Sequence, residues 1–206
     1  MVDELSEPQF FPMELGAGGR QRGPEATRAR LIGAAVSTFA NNGYANASVH
    51  DICAKAGLSV GSFYYHFTDK AEITVGILER ENDGFARRLG AMDLREPSVI
   101  ESTLSDFLHG PKAPLYRALR DATELEPAVE MAGSELRRGA RARLVLTIDR
   151  ARQKGLIYPV NAPSIAWATL AMIRVALKFP MDEGESAGAI AAILHQLVIA
   201  GEKPSG

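Results

Sequence analysis

From Pro24 onward the apolar residues recur at helical spacing, and nowhere does a two-residue alternation replace it. Ile32, Ala35, Val36 and Phe39 fall at i, i+3, i+4 and i+7, one face of a helix opened by Pro24 in a first-turn position. Asn41-Asn42-Gly43, residues that tolerate a left-handed backbone, close it. Ser48 and Asp51 resemble a capping box for a second helix, where Val49, Ile52, Cys53 and Ala56 repeat the spacing until Gly57 stops it. Ser59 caps a third helix with Val60, Phe63 and Phe67 on one side. Asp69 with Glu72 opens a long fourth helix through Ile73 and Ile77.

The pattern stays helical to the end. Pro97 precedes a segment with Val99, Ile100, Leu104, Phe107 and Leu108, and Pro111 and Pro114 punctuate before Leu115 to Glu124. Pro127 starts a helix reaching about Lys154, closed by Gly155, and Pro163 opens one that Pro180 ends. The last two helices, about 164–179 and 187–200, are apolar nearly all round, so they need cover on several sides. A subunit interface supplies that cover. The expected fold is all-α. Residues 1–23 lack any period and read as an arm, 24–70 as a three-helix helix-turn-helix domain, and 71–206 as a larger helical domain. The glycine-rich GAGGRQRG does not fit G-x-G-x-x-G and follows no strand, so it reads as a linker.

Charge changes this picture locally. The net charge is −2 over 206 residues, which argues mildly against a nucleic-acid partner. Residues 1–19 carry −4, residues 20–70 carry +3 and residues 71–206 carry −1, so the helix-turn-helix segment is the basic one. The lone Cys53 excludes an intrachain disulfide. With no basic-then-apolar leader and no apolar run of about 18 residues, the expected location is the cytoplasm, with no membrane association.

Within AGLSVGSFYYHFTDK, Phe63 and Phe67 share an inner face with Val60, while Gly61, Ser62, Tyr65 and His66 point elsewhere and Tyr64 lies at the boundary. Gly61 permits close approach of a backbone, Ser62 can meet a base edge, and Tyr and His tips can donate to phosphate oxygens. Lys70 sits in the first turn of the next helix, where a cation opposes the helix dipole. A bound anion there would account for it, and so would a plain solvated lysine.

The run RLIGAAVSTFANNGYANASVHDICAKAGLSVGSFYYHFTDKAEI, within Thr27 to Glu79, resembles the DNA-binding domain of TetR-family transcriptional regulators. A-G-L-S-x-G-S-F-Y-Y-H-F-x-x-K is its most specific part, and Ser48, Cys53 and Phe63 depart slightly from the commoner residues. The resemblance implies that Val60, Gly61 and Ser62 lie at the major groove, with Ser59 among the DNA-binding residues. Ser48, Tyr64, Tyr65, His66 and Lys70 would hold phosphates, and Thr27 and Arg28 would approach the backbone or an adjacent groove. Arg20 and Arg22 would enter the minor groove. It further implies a homodimer through the last two helices and a repressor released from a palindromic double-stranded operator by a small apolar effector. Phe85, Leu104, Phe107, Leu108, Leu119, Trp167 and Met172 are candidates to line the effector cavity, and each is equally a plain core residue.

Several residues carry two readings. His66 is a phosphate ligand or a structural histidine, and Arg174 anchors an acidic ligand or pairs across a dimer seam. Arg137, Arg138, Arg141, Arg143, Arg150 and Arg152 read as a solvated face partly neutralised by Glu135 and Asp149. Cys53 is a small core residue, and His109 and His195 lack partners at metal spacing, so no metal or cofactor is implied. No catalytic constellation stands out. The rival function is a ligand-binding or enzymatic helical protein whose helix-turn-helix is structural.

Overall fold

The structure, a computed structural model, describes residues 23–157, 160–179 and 185–199. Arg20 and Arg22, with the rest of the arm up to residue 22, lie outside these. The described residues form helices α1 (Pro24–Asn46), α2 (Val49–Ala56), α3 (Val60–His66), α4 (Lys70–Ala91), α5 (Pro97–His109), α6 (Ala113–Leu125), α7 (Pro127–Gln153), α8 (Ala162–Lys178) and α9 (Glu185–Ile199), with no strand among them.

The local chemistry explains the N-terminal boundaries. Gly43 takes φ 74 and ψ 166, which breaks α1 and turns Tyr44 into the core, where it is fully buried. The Ser48 hydroxyl accepts from the Asp51 N–H at 3.1 Å while the Asp51 carboxylate accepts from the Ser48 N–H at 3.0 Å. This capping box satisfies two backbone donors at the start of α2. Gly57, at φ 61, ends α2 in the left-handed conformation, and the Leu58 N–H donates to the Cys53 carbonyl at 3.0 Å. Asp69 caps α4 by accepting from the Glu72 N–H at 2.8 Å. Glu72 itself reaches back one residue further than a capping box requires, accepting from the Thr68 N–H and hydroxyl.

Leu31, Ala35, Phe39, Ile52, Cys53, Phe63 and Phe67 are buried together with Ile73 and Ile77 of α4. The fourth helix therefore belongs to the core of the small domain at its start and continues into the larger one. There α4 packs along α7, α7 along α8, and α5 along α9. Helix α6 packs against both α1 and α7, and Tyr44 of α1 donates its hydroxyl to Glu126 Oε1, just after α6, at 3.1 Å. Burial first, and the Glu126 carboxylate second, push the Tyr44 phenol well above its ordinary pKa.

Candidate nucleic-acid interface and an internal cavity

Helix α3 has only seven residues, and its orientation depends on two rings. Phe63 and Phe67 are fully buried with centroids 5.6 Å apart. That anchorage leaves Val60, Tyr64 and Tyr65 outside, with Tyr65 76% exposed. The Tyr64 ring stands edge-on to Phe63 at 5.5 Å, and the Tyr65 and His66 rings meet at 5.0 Å, nearly perpendicular. These contacts limit the rotamers of rings whose hydroxyl and imidazole ends remain available to a partner.

Ser59 caps the helix by accepting from the Ser62 N–H at 3.1 Å, and the two hydroxyls are 2.9 Å apart. Ser59, Gly61, Ser62, Tyr65 and His66 line an open concavity with Thr27 and Arg30 of α1. The nearest atom to a Cβ added at Gly61 is Ser59 Oγ at 3.8 Å, an ordinary contact. Packing inside the domain therefore does not require glycine there.

Three expected backbone ligands are engaged within the protein. The Arg28 guanidinium lies 5.1 Å over the Phe67 ring and beside Gly76, toward the α3–α4 corner. The Ser48 hydroxyl donates to Asp51 at 2.5 Å within its cap. The Lys70 ammonium donates to the Tyr44 and Ala47 carbonyls at 2.9 and 3.0 Å and sits 4.0 Å over the Tyr44 ring. Burial lowers the Lys70 pKa, against which Glu126 acts. Two carbonyl dipoles thus compensate the cation that its own helix dipole disfavours. The partners of Lys70 within the protein are the Tyr44 and Ala47 carbonyls, which helical spacing does not reveal. Arg30, not expected at the interface, lines the concavity while its Nη2 donates to the Ala56 carbonyl at 2.7 Å and so caps α2.

A second feature lies in the larger domain. A cavity of about 150 Å³ is lined by one face from each of four helices. On α4 the face is Leu78, Glu81, Asn82 and Phe85; on α6 it is Tyr116, Leu119, Arg120 and Thr123. On α7 it is Gly133, Leu136, Arg137 and Ala140; on α8 it is Leu170, Ile173, Arg174 and Leu177. Every face follows i, i+3, i+4 and i+7, and on α6, α7 and α8 the i+4 position is arginine. Phe107 of α5 completes the wall, stacked between Phe85 and Tyr116 at 4.1 and 4.4 Å.

Of the residues expected to line a cavity, the structure brings together Phe85, Phe107 and Leu119. Leu104 and Leu108 are buried in the core outside this lining, Met172 packs part-buried against the core, and Trp167 is 64% exposed. Tyr116, Arg120 and Arg137 were missed. The signal that could have found them is the recurring i+4 arginine, which solvation alone does not explain on three inward faces. Glu81 is buried at the rim, where it accepts from Lys112 Nζ at 2.8 Å.

A sequence profile described as "Bacterial regulatory proteins, tetR family" matches residues 31–75. An HTH-type transcriptional repressor of Streptomyces coelicolor is 28% identical over 77% of this chain and 82% of its own length. The HTH-type transcriptional regulator SrpR of Pseudomonas putida is 31% identical, and that match spans less than half of either protein, 43% of each. Salmonella enterica GusR shares the fold with a TM-score of 0.72 at 21% identity, over 86% of this chain and 96% of that one.

Proposed function

We propose that this chain, which belongs to the TetR family of transcriptional regulators, is a dimeric repressor that leaves a palindromic operator when an effector enters its internal cavity. The observation that carries the reading is the division of α3. Its buried Phe63 and Phe67 fix the helix, and Val60, Gly61, Tyr64 and Tyr65 stand outside beside the concavity at Thr27 and Arg30. A recognition helix in the major groove needs that combination of rigid seating and a narrow, hydrogen-bonding outer surface. Ser59, Gly61 and Ser62 approach base edges; Tyr64, Tyr65 and His66 hold phosphates.

The sign of regulation is carried over from the Streptomyces coelicolor relative, which is named a repressor. Dimerisation through α8 and α9 is supported by the apolar side chains they leave exposed, Trp167, Val175, Phe179, Ile193 and Leu197. Two recognition helices then address half-sites about one helical turn apart. An effector acts by favouring the conformer in which that spacing is lost. Helix α4, common to both domains, and α6, packed on α1, are the levers.

The test is binding of the full chain to duplex DNA from its own promoter region, by fluorescence anisotropy at several salt concentrations. Affinity is expected to fall steeply with salt and to exceed that for random DNA by about a thousandfold or more. Equal affinity for both sequences, or a flat salt dependence, would sink the reading.

A further inference from the structure

We infer that the cavity between α4, α6, α7 and α8 binds amphipathic anions, molecules with an aliphatic or aromatic body and one carboxylate. The inference rests on the effector reading above and sharpens it: a purely apolar effector becomes an apolar acid.

The central observation is Arg120. Its side chain is 14% exposed, and one nitrogen, Nη2, pairs with Asp121. Nε and Nη1 are buried with no acceptor. A desolvated cation with two unmet donors is costly, and the fault is removed by an oxyanion arriving in the cavity that Arg120 lines. Arg137 and Arg174 occupy the same helical register on the neighbouring walls, so three guanidiniums face one lining carboxylate.

The nearby acids are already engaged. Asp121 pairs with Arg120, Glu130 with Arg137, Glu124 with Lys178, and Glu81 with Lys112 and the Tyr116 hydroxyl. Glu130 Oε2 is also buried without a partner, but Glu130 does not line the cavity. The stacked Phe85, Phe107 and Tyr116 rings offer the ligand body a flat apolar wall. Beyond Arg137, Leu170 and Arg174, which they share, an outer cleft of about 280 Å³ adds Arg138, Arg141 and Trp167. Arg138 of that cleft pairs with Glu135, and Arg141 adds a further positive charge to the cleft that Arg174 lines.

The experiment uses matched probes on the full chain, decanoate against 1-decanol and 2-naphthoate against 2-naphthalenemethanol, by thermal shift and calorimetry. At least one acid is expected to bind about tenfold or more tightly than its neutral partner. Arg120→Met and Arg174→Met should each abolish that preference. Arg120→Met should in addition melt no lower than the native chain without ligand, because it removes the unmet donors. Should Arg120→Met fail to fold, Arg174→Met, at a half-buried position, carries the test alone. The inference is overturned if neither acid outbinds its neutral partner, or if the folded variants keep the preference. DNA anisotropy with and without the acid separates the two readings. An acid that binds but leaves operator affinity unchanged supports this site and removes the effector role.

Discussion

Gly61 carries a cost that the protein's own packing does not explain. A glycine inside a helix destabilises it by about 0.5–1 kcal/mol relative to alanine, and no neighbour here demands the missing Cβ. Gly61→Ala is therefore expected to raise the stability of the chain in chemical denaturation by about that amount while weakening operator binding. A loss of stability, or undiminished DNA affinity, would mean that the glycine does not clear space for DNA. Lys70 teaches the converse lesson, because its spacing from the α3 aromatics matched a phosphate ligand while its ammonium serves two carbonyls of the α1–α2 corner. Residue type and position were legible there; the partner was not.

At the scale of the element, the caps decide the helix-turn-helix geometry. Gly43, at φ 74 and ψ 166, lies in a region that other residues enter only under strain. Gly43→Ala should cost about 1–3 kcal/mol in urea denaturation. Gly33→Ala, in a helix with open space at the added Cβ, should be neutral or stabilising by up to about 1 kcal/mol and so serves as the control. Equal effects would remove the backbone argument. The caps at Ser48, Gly57, Ser59 and Asp69 were legible because each acts within a few residues in sequence. The inward faces of α4, α6, α7 and α8 were less so, since a helix carries two or three candidate faces and only packing selects one. Trp167 shows the limit: a candidate for the cavity wall by resemblance, it lies exposed on α8 and lines the outer cleft, not the cavity.

At the scale of the whole molecule, α8 and the residue that follows it leave large apolar side chains outside, with Phe179 64% exposed and Val175 one turn before it also exposed. Val175→Glu combined with Phe179→Glu should convert a dimer to a monomer in sedimentation equilibrium and reduce operator affinity by orders of magnitude. A dimer that survives both changes would place the subunit contact elsewhere. Helix α6 has a further consequence. It packs against α1 and also supplies Tyr116, Leu119, Arg120 and Thr123 to the cavity. Linkage requires that if acid weakens operator binding by some factor, operator weakens acid binding by the same factor. The ligand concentration at which each promoter switches would then not be a constant of the protein. Strong operators would demand more acid than weak ones, so a single chain could relieve its target promoters in a graded order set by DNA sequence alone.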